Sequence, residues 1–397
     1  MAGETYILDA VRTRTGKYGG GLAGVRPDDL AATVVRALVE RSPELDPERI
    51  GDVFFGNSNG AGEENRDVAR MAVLLAGLPT SVPGATVNRL CGSGMEAAVE
   101  ANRAIGMGDA SVCIAGGVES MSRAPYVMLK PEKPFDRGDQ QLHSTTLGWR
   151  LVNPNMPEDY ATSLGEGAEI LADKYSVSRE AQDEYAVRSH KRAAAAWEEG
   201  RFDDEAVDVP DTELERDETI RSDSSMESLA KLRPAFRKDG SVTPGNASPL
   251  NDGAAAVLMA DEAGVEASGR KPLARIVSRG LNAVDPPLYG IAPVEAANRA
   301  LERAGIGWGD LALVELNEAF AAQTLACLAE WTELDREIVN VNGGAVALGH
   351  PIGCSGARIL ATLVHELQRR GGGYGLAALC IGVGQGIAMV VEAEAAS

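Results

Sequence analysis

Asn88-Arg89-Leu90-Cys91-Gly92-Ser93-Gly94 and Gly349-His350-Pro351-Ile352-Gly353-Cys354-Ser355-Gly356 lie far apart in the chain, and each carries Ser-Gly at the start of a helical pattern. The likeness runs outward from both. Val87-Asn88 precedes the first and Val341-Asn342 approaches the second. The following helices lead to Val112-Cys113-Ile114-Ala115-Gly116-Gly117 in one case and to Ala378-Leu379-Cys380-Ile381-Gly382-Val383-Gly384 in the other. The chain reads as two duplicated halves, the first offering Cys91 and the second His350 and Cys380.

The stretches between these segments alternate strand and helix. Tyr6 to Ala10 is a short apolar strand. Pro27 opens a helix with Leu30, Val34 and Leu38 on one side, since proline suits a first turn. Asp52 to Phe55 is the next strand, Asp67 to Ala76 a helix, and Ala85 to Asn88 a strand. Such alternation predicts parallel crossover units and a sheet covered on both faces. From about Glu119 to Asn246 the pattern gives way to Pro, Asp, Glu, Arg and Ser, with a clear helix only over Arg179 to Glu198. This segment reads as an insertion. Alternation resumes at Leu273 to Val277 and continues with a helix at Pro293 to Ala304, a strand at Leu311 to Leu316, a helix from Glu318 and a strand pair ending near Val391. The domains predicted are 1–118, an inserted loop domain 119–246, a return to the first half over 247–270, and a second half 271–397.

With 397 residues and 44% apolar content, the chain can bury cores of ordinary domain size. No apolar run reaches the length of a membrane span, and the N-terminus is interrupted by charge, unlike a signal peptide. Five cysteines, an odd number without framework spacing, point to thiol chemistry in a reducing compartment rather than a disulfide scaffold, so a cytoplasmic location is expected. A net charge of −20 with no basic run argues against nucleic acid. No membrane partner is expected either, and the charge suits solubility.

Cys91 stands where a strand yields to a helix, a position whose dipole and free N–H groups are expected to lower a thiol's pKa. Cys113 and Cys327 fall inside apolar strand and helix patterns and read as packing residues. His350 sits in a glycine-rich turn fixed by Pro351, whereas His143, His190 and His365 lie in polar contexts. Cys380 ends an apolar strand before Gly382, Gly384 and Gly386, whose backbone N–H groups are free to face an oxyanion. No paired Cys or His spacing supports zinc, and no metal is expected.

Taken together with Gly116 to Ser122, Gly245 to Ser248, Asn251 to Ala255 and Asn317-Glu318-Ala319-Phe320, these segments resemble the thiolases, acetyl-CoA acyltransferases, over essentially the whole length. The resemblance implies a five-layer αβαβα fold of two α/β halves with a loop domain over the site, and a homodimer or homotetramer. It implies cleavage of a 3-oxoacyl-CoA by coenzyme A to acetyl-CoA and a shortened acyl-CoA, or the reverse condensation. Coenzyme A enters as co-substrate, with no permanently bound cofactor.

Residue by residue, Cys91 resembles the nucleophile, His350 the group that takes its proton, and Cys380 the acid/base at carbon. Asn317 would hold a water that helps His350 Nε2 stabilise the enolate. The N–H groups of Cys91 and Gly382 would form a second oxyanion hole. Coenzyme A would cross the insertion with Ser248 near the pantetheine and Arg221 near the nucleotide, while Leu164, Ala319 and Phe320 would line the bound ligand. Met156 suggests a pocket residue by its neighbours, but Ser163-Leu164 falls where the family has His-Met or Ser-Met.

Gly148 to Pro154, Glu315-Leu316-Asn317, Val383 and Gln385 resemble 3-oxoadipyl-CoA thiolases, which would make Arg150 a partner for a distal carboxylate. General 3-oxoacyl-CoA and acetoacetyl-CoA thiolases stay open. A ketoacyl synthase would pair one Cys with two His, and the related lipid carriers often depart from Asn-Glu-Ala-Phe.

Overall fold

The computed structural model describes residues 3–135 and 137–394. The strands that build it are β1 (Tyr6–Thr13), β2 (Ile50–Gly56), β3 (Ala85–Val87), β4 (Val112–Ser120), β5 (Asn251–Ala260), β6 (Ala274–Ala283), β7 (Leu311–Leu316), β8 (Gly373–Ile381) and β9 (Gln385–Ala393). They run in the order β7-β8-β9-β6-β1-β5-β4-β2-β3. The duplication is visible in the pairing itself. β2 pairs β4 in parallel, and β4-β5-β1 continue antiparallel. Likewise β7 pairs β8 in parallel, and β8-β9-β6 continue antiparallel. Even the third parallel strand has a counterpart: β3 lies on β2, and an isolated parallel bridge joins Val314 to Val339.

The half-sheets meet only through Tyr6↔Arg275 and Ile7↔Ala274. Between them run α3 (Ser93–Met107) and α8 (Ser355–Arg369). One core joins Met95 and Val99 of α3 and Ile359 and Leu363 of α8 to Ala115 of β4 and Leu379 of β8. Outside, α1 (Pro27–Glu40) and α2 (Val68–Leu75) pack on the first half, and α6 (Ala292–Ala304) and α7 (Ala321–Glu330) on the second. Five layers result, αβαβα.

Glycine in the two Ser-Gly pairs explains why that pair is repeated. A Cβ on Gly94 would stand 2.8 Å from the Gly353 carbonyl oxygen and the Ala357 nitrogen, and one on Gly356 would collide with Met95. The starts of the two central helices therefore touch backbone to backbone, which only glycine permits.

The predicted parallel units are present where β2 pairs β3 and β4 and where β7 pairs β8, but the sheet as a whole is mixed. β8 and β9 are a hairpin, and β5 returns after the long insertion, so neither connection is a short helical crossover that would force a parallel neighbour. Within the insertion a second long helix, α4 (Leu164–Lys174), precedes α5 (Arg179–Glu198). Its buried face combines Ala168, Leu171 and Ala172 with Gly165, Gly167 and Glu169, so glycine and a carboxylate interrupt the apolar stripe. Glu169 spends its charge on the N–H groups of Ser241 and Val242. The insertion is tied to the sheet by Arg12 of β1, fully buried, which pairs with Glu205 and Asp217 and lies over the Phe202 ring at 4.8 Å. No helix among the described residues is long and apolar enough to cross a membrane.

Candidate active site

Cys91 lies in a short 3-10 turn, Leu90–Gly92, that runs into α3. Leu90 takes a left-handed φ of 48°, rare for a bulky residue. Ser93 holds the turn: its Oγ accepts from Arg89 N at 2.9 Å and donates to the Leu90 carbonyl at 2.6 Å. The backbone N–H groups of Gly382 and of Cys91 itself lie close enough to the Cys91 sulfur to favour its anion. Gly382 opens the β8–β9 turn, where Val383 is also left-handed, with φ 61°. Strained backbone thus flanks both N–H donors.

The expectation of a lowered Cys91 pKa is overturned. Burial pushes the thiol up to about 11, because desolvation outweighs the two N–H bonds. The resting group is a thiol, and its proton must leave as it attacks.

His350 is placed by two partners. Its backbone N–H donates to Asn251 Oδ1 at 2.9 Å, and its Nδ1 lies 2.6 Å from Ser355 Oγ. Ser355 gives its own hydrogen to the Pro351 carbonyl at 2.8 Å, so the hydroxyl accepts from Nδ1–H and Nε2 is left bare. Burial lowers the imidazole to about 4, with Arg358 adding to the effect, which keeps it a neutral base. Asn317 Nδ2 stands 3.5 Å from both ring nitrogens, over the ring rather than aimed at one. Its Oδ1 is buried without a protein partner, and its N–H fixes it to the Ala378 carbonyl of β8 at 2.9 Å.

Next to Asn317, Glu318 accepts from Tyr185, Ser189, Asn340 and the Val346 N–H, locking this turn to α5 of the insertion. Cys380 is 1% exposed and packs with Tyr289, Ala319, Leu164 and Phe320. Burial raises its thiol well above the ordinary value, with the nearby Cys91 sulfur adding to the shift.

A cavity of about 320 Å³ opens onto Cys91 and Gly382. Leu90, Met121, Leu147, Trp149, Leu164 and Ile352 give it apolar walls, and Ser58, Asn59, Glu119 and Arg150 its polar ones. Trp149 is pinned by Nε1–H donating to the Thr162 carbonyl at 3.1 Å, and its ring edge covers Gly382. Glu119 receives Gly353 N at 2.8 Å and Ser58 N at 3.0 Å, so one carboxylate ties the first half to the His350 loop. Burial nevertheless raises it to about 7.

Of the residues singled out in the sequence, Cys91, Gly382 and Cys380 converge, His350 and Asn317 face each other, and Leu164, Ala319 and Phe320 pack on Cys380. Ser248 is one bond away, its N–H donating to the Ala319 carbonyl at 3.0 Å. Arg221 is exposed and is not among the cavity walls; its N–H is held by His190 Nδ1 at 3.1 Å. Met156 is exposed and outside the cavity, while Leu164 lines it. His190, expected in a polar setting, is 3% exposed, and burial lowers it to about 4. Ser355, Glu119, Tyr289, Trp149 and Asn59 were given no role by the sequence; Ser355 carried a signal as the duplicate of Ser93, and Glu119 and Trp149 lie within segments that carry the resemblance, whereas Tyr289 and Asn59 carried none. Among the described residues no cluster of three or more His, Cys, Asp or Glu is arranged to hold a metal.

This constellation has close precedent. Residues 5–263 match the family model "Thiolase, N-terminal domain" and residues 270–393 "Thiolase, C-terminal domain". The chain belongs to the thiolase family. This thiolase is 51% identical to a beta-ketoadipyl-CoA thiolase of Pseudomonas aeruginosa over 99% of its own length and 100% of the relative's. It is also 51% identical to a 3-oxoadipyl-CoA/3-oxo-5,6-dehydrosuberyl-CoA thiolase of Escherichia coli, over 98% and 99% of the two chains. The crystal structure of human mitochondrial 3-ketoacyl-CoA thiolase in complex with CoA superposes with a TM-score of 0.92 at 40% identity, covering 100% of both chains. The enzyme is accordingly an acyltransferase of the five-layer thiolase fold.

Proposed function

We propose that this thiolase cleaves 3-oxoadipyl-CoA with coenzyme A, giving acetyl-CoA and the four-carbon dicarboxylic acyl-CoA. The observation that carries the catalytic part is the convergence of the Gly382 and Cys91 N–H groups on the Cys91 sulfur, beside a second buried thiol. In this reading Cys91 gives its proton to His350 Nε2 as sulfur attacks the 3-oxo carbon, so neither group need be charged beforehand. Breaking the C2–C3 bond leaves an acyl thioester on Cys91 and the enolate of acetyl-CoA. Cys380 protonates the enolate carbon. His350 Nε2, with a water held by the unpartnered Asn317 oxygen, stabilises the enolate oxygen. Coenzyme A, giving its thiol proton to the Cys380 thiolate, then attacks the thioester, whose oxyanion meets the Cys91 and Gly382 N–H groups, and the departing Cys91 sulfur recovers its proton from His350 Nε2.

The dicarboxylate reading is supported by the two relatives' names and by Arg150, which lines the cavity that opens on Cys91. An unpaired carboxylate in a partly apolar site is costly, and a guanidinium offsets that cost. Coenzyme A acts as co-substrate, its pantetheine beside Ser248; Arg221 is kept as its nucleotide contact. The loop domain over 119–246 carries the Arg221 contact, and Ser248 follows directly on its end. A homodimer or homotetramer in the cytoplasm is the assembly proposed, supported by the exposed apolar side chains Tyr126, Met128, Leu129 and Leu142 on the insertion.

The test compares kcat/KM for 3-oxoadipyl-CoA with that for 3-oxohexanoyl-CoA, which has the same acyl length and no carboxylate, and for acetoacetyl-CoA. Preference for the neutral chain refutes the substrate assignment. Peptide mass spectrometry after acyl-CoA treatment should find the acyl group on Cys91. Cys380→Ser should retain that label yet lose turnover. An active enzyme labelled elsewhere would overturn the mechanism.

A further inference from the structure

The polar end of the acyl cavity holds a residue that no motif marks. We propose that Asn59 is a specificity-determining residue that aims the Arg150 guanidinium at the distal carboxylate, an inference that rests on the dicarboxylate reading above. Asn59 Oδ1 accepts from Arg150 Nη2 at 2.9 Å. Its Nδ2 donates to the carbonyl and the hydroxyl of Thr145, at 3.1 and 3.0 Å. Because the carbonyl of Thr145 can only accept, the amide has one orientation, and its oxygen must face Arg150. The backbone of Asn59 is fixed in turn, its N–H donating to Glu119 Oε1 at 3.2 Å.

Asn59 therefore joins the strand-end loop after β2, held by Glu119, to the 145–150 segment of the insertion that forms the opposite wall. Its neutrality matters as much as its geometry. Among the described residues Arg150 has no carboxylate partner, so its charge is left for a ligand. An amide restrains the guanidinium through one N–H group without cancelling its charge, whereas an aspartate there would neutralise it and would lose the donor to the Thr145 carbonyl. The cavity so lined is apolar at Trp149 and Leu164, which border Gly382, and carries a cationic side chain at Arg150. That combination suits an acyl chain whose reacting carbon is apolar-flanked and whose far end is anionic.

The experiment reads the ratio of kcat/KM for 3-oxoadipyl-CoA to that for 3-oxohexanoyl-CoA in wild type, Asn59→Asp, Asn59→Ala, Arg150→Met and Asn59→Asp/Arg150→Met. We expect the ratio to fall about tenfold in Asn59→Asp, the effect of one charge-assisted contact, and several-fold in Asn59→Ala. The double variant should fall no further than Arg150→Met alone, since the two residues act as one device. If Arg150→Met abolishes the preference while both Asn59 variants keep it, the role of Asn59 is overturned. A uniform loss on both substrates, leaving the ratio unchanged, also overturns it and marks Asn59 as merely structural. A wild-type ratio at or below one instead removes the dicarboxylate reading itself. Asn59→Asp is nearly isosteric, so it keeps the test open should Asn59→Ala fail to fold.

Discussion

Replacing Ser355 with alanine should disarm His350 without touching the substrate. Ser355 is fully buried, and its hydroxyl is committed in both directions, accepting from His350 Nδ1 at 2.6 Å and donating to the Pro351 carbonyl at 2.8 Å. Alanine leaves the Nδ1–H group facing no acceptor, because Asn317 Nδ2, the other polar atom near the ring, is itself a donor. An unsatisfied buried donor costs about 1–3 kcal/mol. The ring can avoid that cost by moving its proton to Nε2, the nitrogen that must receive the Cys91 proton. On the scale of 1.36 kcal/mol per factor of ten, kcat for thiolysis should drop by roughly 5- to 150-fold. KM for the acyl-CoA should stay nearly constant, since Ser355 is not part of the cavity wall. The assay is steady-state thiolysis at saturating coenzyme A, paired with nitrogen NMR of labelled histidine, which should show Nδ1–H in the wild type and a shift toward Nε2–H in the variant. Ser355→Cys, a weaker acceptor, should fall between. A folded Ser355→Ala enzyme with wild-type kcat, or a wild-type ring already protonated on Nε2, refutes the reasoning.

Four further outcomes are expected. His350, lowered by burial to about 4, should remain a competent base well below pH 6, so the acid limb of kcat should lie near pH 4 rather than near the ordinary 6.5; a limb at 6.5 contradicts the burial argument. His190 is lowered to about the same value, and the unfolded chain takes up that proton first as pH falls. Its contribution is therefore intact above 6.5 and lost on descent to about 4, and the stability gap between wild type and His190→Gln should change by up to about 3 kcal/mol across that window in urea unfolding. Gly382→Ala would set a Cβ 2.9 Å from Trp149 Cη2, and displacing the N–H that faces Cys91 should lower kcat by about a hundredfold, read in single-turnover acylation. Glu318→Gln would turn an amide N–H toward one of four donors, costing about 2 kcal/mol by urea denaturation while the Cys91 label still forms.

Repetition made the family legible before any coordinates. Cys91 with Gly92-Ser93-Gly94, His350 within Gly349 to Gly356, and Cys380 before three alternating glycines are local patterns, because nucleophile, base and oxyanion donor each need a tight turn at an element's end. The paired Ser-Gly steps were equally visible, since two helix starts in backbone contact leave room for nothing larger. Charge and composition argued against a general nucleic-acid binder for a reason equally independent of fold. What no local pattern contained was the consequence of burial. Cys91 looked like a helix-start thiolate, yet enclosure between two half-sheets makes it a thiol near 11 and His350 a base near 4. His190 looked like a histidine in a polar setting and is a buried one whose Nδ1 holds the backbone N–H of Arg221. Helix α4 was hidden because two glycines and one buried glutamate interrupt the apolar stripe of its inner face. Asn59, Glu119 and Arg150 stand 60 and 31 residues apart in the chain, and their link passes through side-chain hydrogen bonds. Sequence alone determined the reaction class, because chemistry demands particular residues in particular turns; the tertiary structure decided their protonation and the shape of the acyl site, because desolvation and cross-chain contacts exist only once the halves and the insertion close on one another.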